Sequence, residues 1–495
     1  MNYLLGIDVG TTGTKAFLFS EDGREIAHAY RSYPTQSPEI GWREQDPEHW
    51  WQAVKATIRE VCRDPAQACA VAAIALSSQG GTLVAVDHAM HPVRPAIVWS
   101  DKRCDAEYDA YIREAGDART MYETTGWHLG KSQNAMQIRW MRAHAPEQFQ
   151  AAAMFLSVPD YLSMRMTGIA AVDLSNAGIN QLADIRKGCY DACILRFCGI
   201  TERQLPKLVH SGDVIGHLTP QAAAELGLST QTVLVAGAHD QYAVALGAGL
   251  CKEGDMLIGT GTCWVVTAIA GTPDFRSGLS QSVSAVPGKW GFLWSLPSGG
   301  VCMEWLRSSL AGGENGNSLS YEAINAEAAN RRAAENGLFF YPFSGRAAHN
   351  QSFTRASFIG LDLSHDRFDL ARAIMEGVAF QIVWMMETFS VQPSKEGLKL
   401  AGGACKSELW CQILADIAGL PVRIPEVSDL ACVGAAILAG TGCGLYGDTT
   451  EGYAKLAVRE RVLQPDPVRA GMYRELLKRY QQYAAHLGAV YGLSE

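Results

Sequence analysis

The chain has 495 residues, 48% of them hydrophobic and 19% charged. That composition excludes a largely disordered chain, and the length allows two large domains or about three smaller ones. Lys and Arg number 42 against 51 Asp and Glu, and the net charge of −9 excludes a general attraction to nucleic acid or anionic lipid.

Residues 3–9 (YLLGIDV) are an apolar run, residues 15–20 alternate after a glycine turn, and residues 25–33 alternate again after Glu21-Asp22-Gly23. This pattern predicts a three-stranded meander. Asp46 is placed to cap a helix that Pro47 opens and that runs to about Cys62. Trp42, Trp50 and Trp51 read as core rather than as a stacking platform. Residues 71–76 (VAAIAL) form a short strand that leads into Ser77-Ser78-Gln79-Gly80-Gly81. Strands alternate with helices to about residue 245, so the class is α/β. A second unit begins near Gly254, where GDMLIGTGTCWVVTAI echoes LGIDVGTTGTKAFLF. Both are strand, Gly/Thr turn, strand, which predicts a duplicated fold with two phosphate-contacting turns. Residues 311–320 read as a surface loop, 366–390 and 405–418 as amphipathic helices, and 467–491 as a closing helix.

The thirteen cysteines are irregularly spaced, and Cys189, Cys193 and Cys198 lack the spacing of a zinc site. They read as buried small hydrophobes in a reducing compartment. The start of the chain has no basic leader pattern, and the apolar stretches 71–76 and 433–439 are too short to span a bilayer. A cytoplasmic protein is therefore expected.

Chemistry concentrates at a few places. In Asp8-Val9-Gly10-Thr11-Thr12-Gly13-Thr14-Lys15, backbone N–H groups and hydroxyls can cradle phosphate. Asp8 can hold magnesium through water, and Lys15 can neutralise phosphate charge. The spacing is neither a Walker loop nor a dinucleotide fingerprint, so a nicotinamide oxidoreductase has little support. Asp240, in GAHDQ before a helix, can accept the proton of an attacking hydroxyl, or can simply cap that helix; His239 reads as a side-pointing neighbour. Gly259-Thr260-Gly261-Thr262 is either a second phosphate turn or a plain tight turn. Gly402-Gly403, followed by Ser407, is either a flat nucleotide-facing segment or a helix entry. Gln79, Trp99, Asp101, Arg103 and Asp160 suit a polyhydroxylated ligand, or serve as capping and surface residues.

With these residues in view, the chain resembles the FGGY carbohydrate kinases, and within them looks like the xylulose kinases. GIDVGTTGTKAFLF, GWREQDPEHWW, RPAIVWSDKRCDAE, VPDYLSMRMTG, GAHDQ, residues 356–376 and AGGACKSELWCQILADIAGLPV carry the likeness over nearly the whole length. The resemblance implies two ribonuclease-H-like domains of the actin, hexokinase and heat-shock ATPase type, at 1–248 (sugar-binding) and 249–495 (nucleotide-binding), flanking a deep cleft. It implies ATP-dependent phosphorylation of a small sugar, most simply a ketopentose such as D-xylulose. Another ketose, a polyol or a sugar acid, or a sensor with little transfer, are the alternatives.

The implied roles follow residue by residue. Asp240 is the base and, with Asp8, a magnesium ligand. Thr11, Thr12, Gly13 and Lys15 line the phosphate path opposite Gly259, Thr260, Gly261 and Thr262. Gly402, Gly403 and Ser407 border the nucleotide. Gln79, Gly80, Gly81, Asp101, Asp240 and Gln241 face the sugar. The implied partners are ATP, Mg2+ and a small sugar or polyol, without nucleic acid or membrane, and a homodimer is allowed. Two positions depart from the family pattern. Gly80-Gly81 stands where xylulose kinases carry Met-His, which predicts an enlarged acceptor pocket, and Gln137 stands where a lysine is usual.

Overall fold

The structure is a computed structural model that describes residues 1–310, 319–346, 352–353, 355–456 and 458–491. The loop expected at 311–320 lies almost wholly outside the described residues. The chain forms two compact units. The first comprises Met1–Cys251, Ala270–Gly291 and Val427–Val458; the second comprises Lys252–Ile269, Phe292–Glu426 and Arg459–Glu495.

In the first unit the meander forms as β1 (Tyr3–Val9), β2 (Gly13–Ser20) and β3 (Glu25–Ser32). It is joined by β4 (Val71–Ser78), β5 (Val214–His217) and β6 (Val233–His239). The sheet order is β5-β6-β4-β1-β2-β3. β1 pairs antiparallel with β2 and parallel with β4, and β4 pairs parallel with β6. Central strands covered on both faces need continuous apolar runs, as YLLGIDV and VAAIAL supply. The helix Pro47–Val61 begins as the sequence predicts: Asp46 accepts the Glu48 N–H and Pro47 takes the first turn. It buries Trp50 and Trp51 completely against Ile7, Ile74 and Tyr161.

Glycines set how closely the helices approach. A Cβ at Gly6 of β1 would lie 1.9 Å from the carbonyl oxygen of Cys432, in helix Leu430–Gly442. A Cβ at Gly434 would lie 1.9 Å from the Ala243 oxygen, and one at Gly247 1.9 Å from the Leu430 oxygen. Helices Asp240–Gly247 and Leu430–Gly442 therefore touch backbone to backbone, which no side chain permits.

The second unit repeats the plan. Its strands are β7 (Met256–Thr260), β8 (Trp264–Ala270), β9 (Trp290–Leu296), β10 (Leu398–Gly402), β11 (Val422–Pro425) and β12 (Glu460–Leu463). They lie in the order β9-β8-β7-β10-β11-β12. β7 pairs antiparallel with β8 and parallel with β10, as β1 does with β2 and β4. The expected duplication is thus present in the pairing.

The helix expected at 366–390 runs over Arg367–Met386, but it is buried on every side rather than along one stripe. Its charged residues are internal: Arg372 Nε donates to Glu376 at 2.7 Å, and the Tyr473 hydroxyl bridges both. The cysteine reading also needs revision, since Cys189 and Cys193 are exposed while Cys198 is buried; no two of the thirteen form a disulfide. Among the described residues no helix is long and apolar enough to cross a membrane.

One tie between helices is pH-dependent. Glu225 accepts from Trp51 Nε1 at 2.9 Å, Gln221 Nε2 at 3.0 Å and Lys55 Nζ at 3.1 Å. The Trp51 and Gln221 hydrogen bonds, then Lys55, hold its carboxyl at about 2 against the opposing effect of burial. A depressed acid stabilises the fold above its unfolded pKa, and that stability is lost as pH falls toward the folded value. Glu225→Gln is therefore expected to cost on the order of 1 kcal/mol at pH 7. The difference from the parent should shrink between pH 5 and pH 2.5 in urea melts. An equal difference at both ends would show that the charge plays no part.

Candidate active site

The ends of β1, β4 and β6 bring the first group of residues together. Asp8 closes β1, opposite Lys15 in the β1–β2 register and beside Ser77 of β4. Ser77 Oγ donates to Asp8 Oδ1 at 2.7 Å. Burial pushes the Asp8 carboxyl up to about 7; the charges of Asp429 and Asp240 add to this, and the Ser77 hydrogen bond and Lys15 oppose it. Lys15 Nζ lies 2.5 Å from Asp429 Oδ2. Burial depresses Lys15, but the hydrogen bond and charge of Asp429, with the charge of Asp8, leave it above its ordinary value.

Asp240 is the first residue of its helix, and its carboxylate is half-buried. Its Oδ1 is buried and accepts no hydrogen bond. His239 Nδ1, 3.4 Å away, is likewise buried without a partner. Asp429 caps helix Leu430–Gly442 by accepting the Cys432 N–H at 2.9 Å. Sequence reasoning missed Asp429, 414 residues from the lysine it binds. Its cap position before a long run of small apolar residues was the available signal.

The Gly10–Gly13 turn is held from behind. The Gly10 carbonyl accepts from the Tyr33 hydroxyl at 2.5 Å, the Thr11 carbonyl from Gln45 Nε2 at 2.6 Å, and the Thr12 carbonyl from the Tyr33 N–H at 3.3 Å. In a trans peptide the carbonyl and the following N–H point opposite ways. Fixing these carbonyls therefore directs the N–H groups of Thr11, Thr12 and Gly13 away from the tethering side chains, the arrangement an anion nest requires.

Gln79 is 2% exposed and is part of this tether: its Oε1 accepts from Thr11 Oγ1 at 3.1 Å, and its amide donates to Gln45 Oε1 at 3.2 Å. Trp99 Nε1 donates to Thr11 Oγ1 at 3.0 Å. Asp101, expected to face a ligand, is engaged by protein. Its oxygens accept from Arg103 Nε at 2.8 Å, Arg103 Nη2 at 2.7 Å and the Arg43 N–H at 2.5 Å. Arg103 itself stacks 3.7 Å from the Trp42 ring centre. Asp160 is buried as the capping-box partner of Ser157 on helix Val158–Thr167. Gln241, second in its helix, is half-buried.

Gly80 and Gly81 are buried. The enlarged pocket expected at Gly80 is not found. A Cβ there would lie 2.6 Å from His239 Cδ2 and 2.6 Å from Ile179 Cγ2, so neighbours fill the space. Gly81 has φ +73°, a conformation that favours glycine, and accepts from Gln137 Nε2 at 3.1 Å. Gln137 thus tethers the Gly81 turn from within the buried face of helix Asn134–His144.

In the second unit the two Gly/Thr segments meet. Thr260 Oγ1 donates to the Ala401 carbonyl at 2.8 Å and accepts the Ala404 N–H at 3.1 Å. Gly402, at φ +106°, has no room for a Cβ, which would lie 2.6 Å from the Thr260 oxygen. Gly261 and Thr262 are exposed, as are Gly402 and Gly403, while Gly259 lies one step back in β7. Ser407 caps helix Glu408–Ala418 by accepting the Trp410 N–H and donates to Asn325 Oδ1 at 2.8 Å.

Two sheets of one topology, each ending in a Gly/Thr hairpin, define an actin-like, ribonuclease-H-like ATP-handling fold. Residues 3–247 match the N-terminal domain of the FGGY family of carbohydrate kinases, and residues 255–443 match the C-terminal domain. The chain belongs to that family and is an ATP-dependent sugar kinase. It is 31% identical to the L-xylulose/3-keto-L-gulonate kinase of Escherichia coli (strain K12), over 98% of this chain and 97% of the relative. It is 28% identical to the gluconokinase of Bacillus subtilis (strain 168), over 90% of this chain and 87% of the relative. The crystal structure of xylulose kinase from Rhodospirillum rubrum superposes with a TM-score of 0.89 at 28% identity, covering 99% of this chain and all (100%) of that one.

Thr260→Val keeps the side-chain shape but leaves the Ala401 carbonyl and the Ala404 N–H without their partner. A loss of about 1–3 kcal/mol is expected. The apparent KM for ATP should rise more than that for the sugar, measured by urea melts and steady-state kinetics.

Proposed function

We propose that the protein transfers the γ-phosphoryl group of ATP to a hydroxyl of a small sugar, with Asp240 as general base. The observation that carries this reading is the Asp240 carboxylate, held at a helix start with one buried oxygen that accepts no hydrogen bond. The acceptor O–H proton passes to Asp240, the freed oxygen forms the bond to the γ-phosphorus, and the bond from that phosphorus to the β,γ-bridging oxygen breaks to release ADP.

Thr11, Thr12 and Gly13 present N–H groups to phosphate, and Lys15 adds a positive charge that Asp429 holds in place. In the second unit Gly259, Thr260, Gly261 and Thr262, with Gly402, Gly403 and Ser407, form the proposed nucleotide segment. Gln79 and Asp101 contribute by fixing the loops that carry Thr11, Trp99 and Arg103, while Gly80, Gly81 and Gln241 lie along the acceptor.

Asp8 and Asp240 suit a divalent cation. Asp8 feels the charges of both Asp240 and Asp429, and the one lysine beside it, Lys15, is bound to Asp429. Among the described residues no group of three or more His, Cys, Asp and Glu is arranged to hold a metal by itself. The ion proposed is Mg2+, which characteristically takes one or two carboxylates and fills its remaining positions with water and phosphate oxygens. When bound, it supplies charge neutralisation on the transferred group.

D-Xylulose is the first acceptor proposed, on the likeness to xylulose kinases. A sugar acid is the second reading, favoured by the relatives named for 3-keto-L-gulonate and gluconate. Asp240→Asn should keep the thermal melt and lower kcat by at least about 10²-fold. Near-parental turnover would overturn the base assignment. ADP release across ketopentoses, polyols and sugar acids, with product mass confirmed, should show one strongly preferred acceptor. The preferred class decides between the two readings.

A further inference from the structure

Gly80 and His239 come from different strand ends, yet they compete for one volume. A Cβ on Gly80 would lie 2.6 Å from His239 Cδ2 and 2.9 Å from Nε2. Ile179 Cγ2 would lie 2.6 Å from it on another side, and real Cβ atoms do not approach that closely, so the imidazole and the Ile179 methyl group together leave residue 80 no room for a side chain. Three features fix the imidazole in that place. The His239 N–H donates to Ser175 Oγ at 2.9 Å. Its ring packs against Trp127 with centres 5.9 Å apart at 63°, and against Tyr242 at 6.0 Å. Its side chain is 6% exposed.

The same spot gathers polar atoms that the fold does not satisfy. Trp127 Nε1 is buried without a hydrogen-bond partner, and His239 Nδ1 and Asp240 Oδ1 are buried with only their mutual 3.4 Å contact, too poorly aligned for a hydrogen bond. Such atoms are uncommon in folded proteins, and each calls for an explanation. Trp127 Nε1 can only donate, whereas Asp240 Oδ1 can only accept when ionised. Polyhydroxylated sugars and sugar acids carry both kinds of partner, a hydroxyl that donates and oxygens that accept.

We infer that His239, from the end of β6, replaces residue 80 as the acceptor-facing wall beside Asp240. Together with Trp127 it selects acceptors by hydrogen bonding to an oxygen adjacent to the reacting hydroxyl. This deepens the reading of Asp240 as the base and rests on it for the location of the acceptor. The bulk beside position 80 comes from the neighbouring strand.

The test is a double-mutant cycle with kinetics on the preferred acceptor. Gly80→Ala should raise acceptor KM by about tenfold or more, and His239→Ala by a similar factor, with ATP KM unchanged in the latter. In the Gly80→Ala/His239→Ala double variant the ring contact is gone and only the Ile179 methyl contact remains, so the further cost of the added methyl group should fall well below its cost in the parent. Should Gly80→Ala fail to fold, recovery of folded protein in the double variant reads the same coupling. Trp127→Phe keeps the ring and removes the N–H; it should raise acceptor KM with kcat nearly unchanged, whereas a packing role alone would leave KM in place. Equal effects of Gly80→Ala in both backgrounds, or an unchanged KM in His239→Ala and Trp127→Phe, would overturn the inference. These readouts are KM couplings, so a failed Asp240→Asn result would strike the base assignment and leave them standing. Comparing the variants on a ketopentose and on the matching acid distinguishes a hydroxyl from a carboxylate as the selected oxygen.

Discussion

The backbone contact of helix Leu430–Gly442 with β1 and with helix Asp240–Gly247 is the constraint from which the rest of the first unit follows. Gly6, Gly247 and Gly434 permit carbonyl-to-backbone approaches that a single methyl group would block. With that contact in place, Asp8 near the end of β1 comes within range of the charges of Asp429 and Asp240, which each stand at the start of one of the two helices. Acids gathered around Asp8 are an arrangement that packing energy must hold together, because their charges repel one another. The Asp8 carboxyl is raised to about 7 by burial first and by these charges second, so the site is poised to gain from any cation brought to it.

Division of labour between the two units is built from one topology used twice. β1 and β7 each pair antiparallel with the next strand and parallel with a later one. What differs is how the hairpin between the paired strands is stabilised. In the first unit the turn carbonyls are tied to side chains of Tyr33, Gln45 and Gln79, which leaves its N–H groups outward. In the second unit the Thr260 hydroxyl ties the strand to the Ala401–Ala404 segment, and Gly402 lets the two backbones close up. The first device suits phosphate, and the second leaves a flat glycine surface.

Much of this was legible in the sequence because local rules decided it. Apolar runs, the Gly/Thr turns and the Asp46-Pro47 cap specify their elements within a few residues, so the meander, the first helix and the repeat were readable. Asp240 was visible as a carboxylate at a helix start. Asp429 was not, since its partner Lys15 is 414 residues away and only packing unites them. Residue type alone misleads where polar side chains serve the interior. Arg372 and Glu376 suggested a wet face on helix Arg367–Met386, yet they and Tyr473 satisfy one another in the core. Gln79 and Asp101 looked like ligand contacts, and their hydrogen bonds are with the loops around them.

The Gly80 position shows why a missing side chain cannot be read as a missing volume. Glycine in a strand-end loop is usually explained by its own backbone, as Gly81 is by its positive φ. Gly80 needs no such conformation; its constraint comes from the side chains of Ile179 and His239, both far along the chain. Close packing makes volume a shared quantity between neighbouring elements, so bulk lost from one loop is restored from another whenever the cavity would otherwise be too costly. The chemistry of the wall changes in the exchange even where its shape does not. An imidazole beside the proposed base offers a ring nitrogen where an aliphatic side chain would offer none. Under the proposed reading of Asp240, acceptor selection would be set by pairs of positions, and the half of the pair that carries the side chain would determine which oxygen-bearing groups are held there.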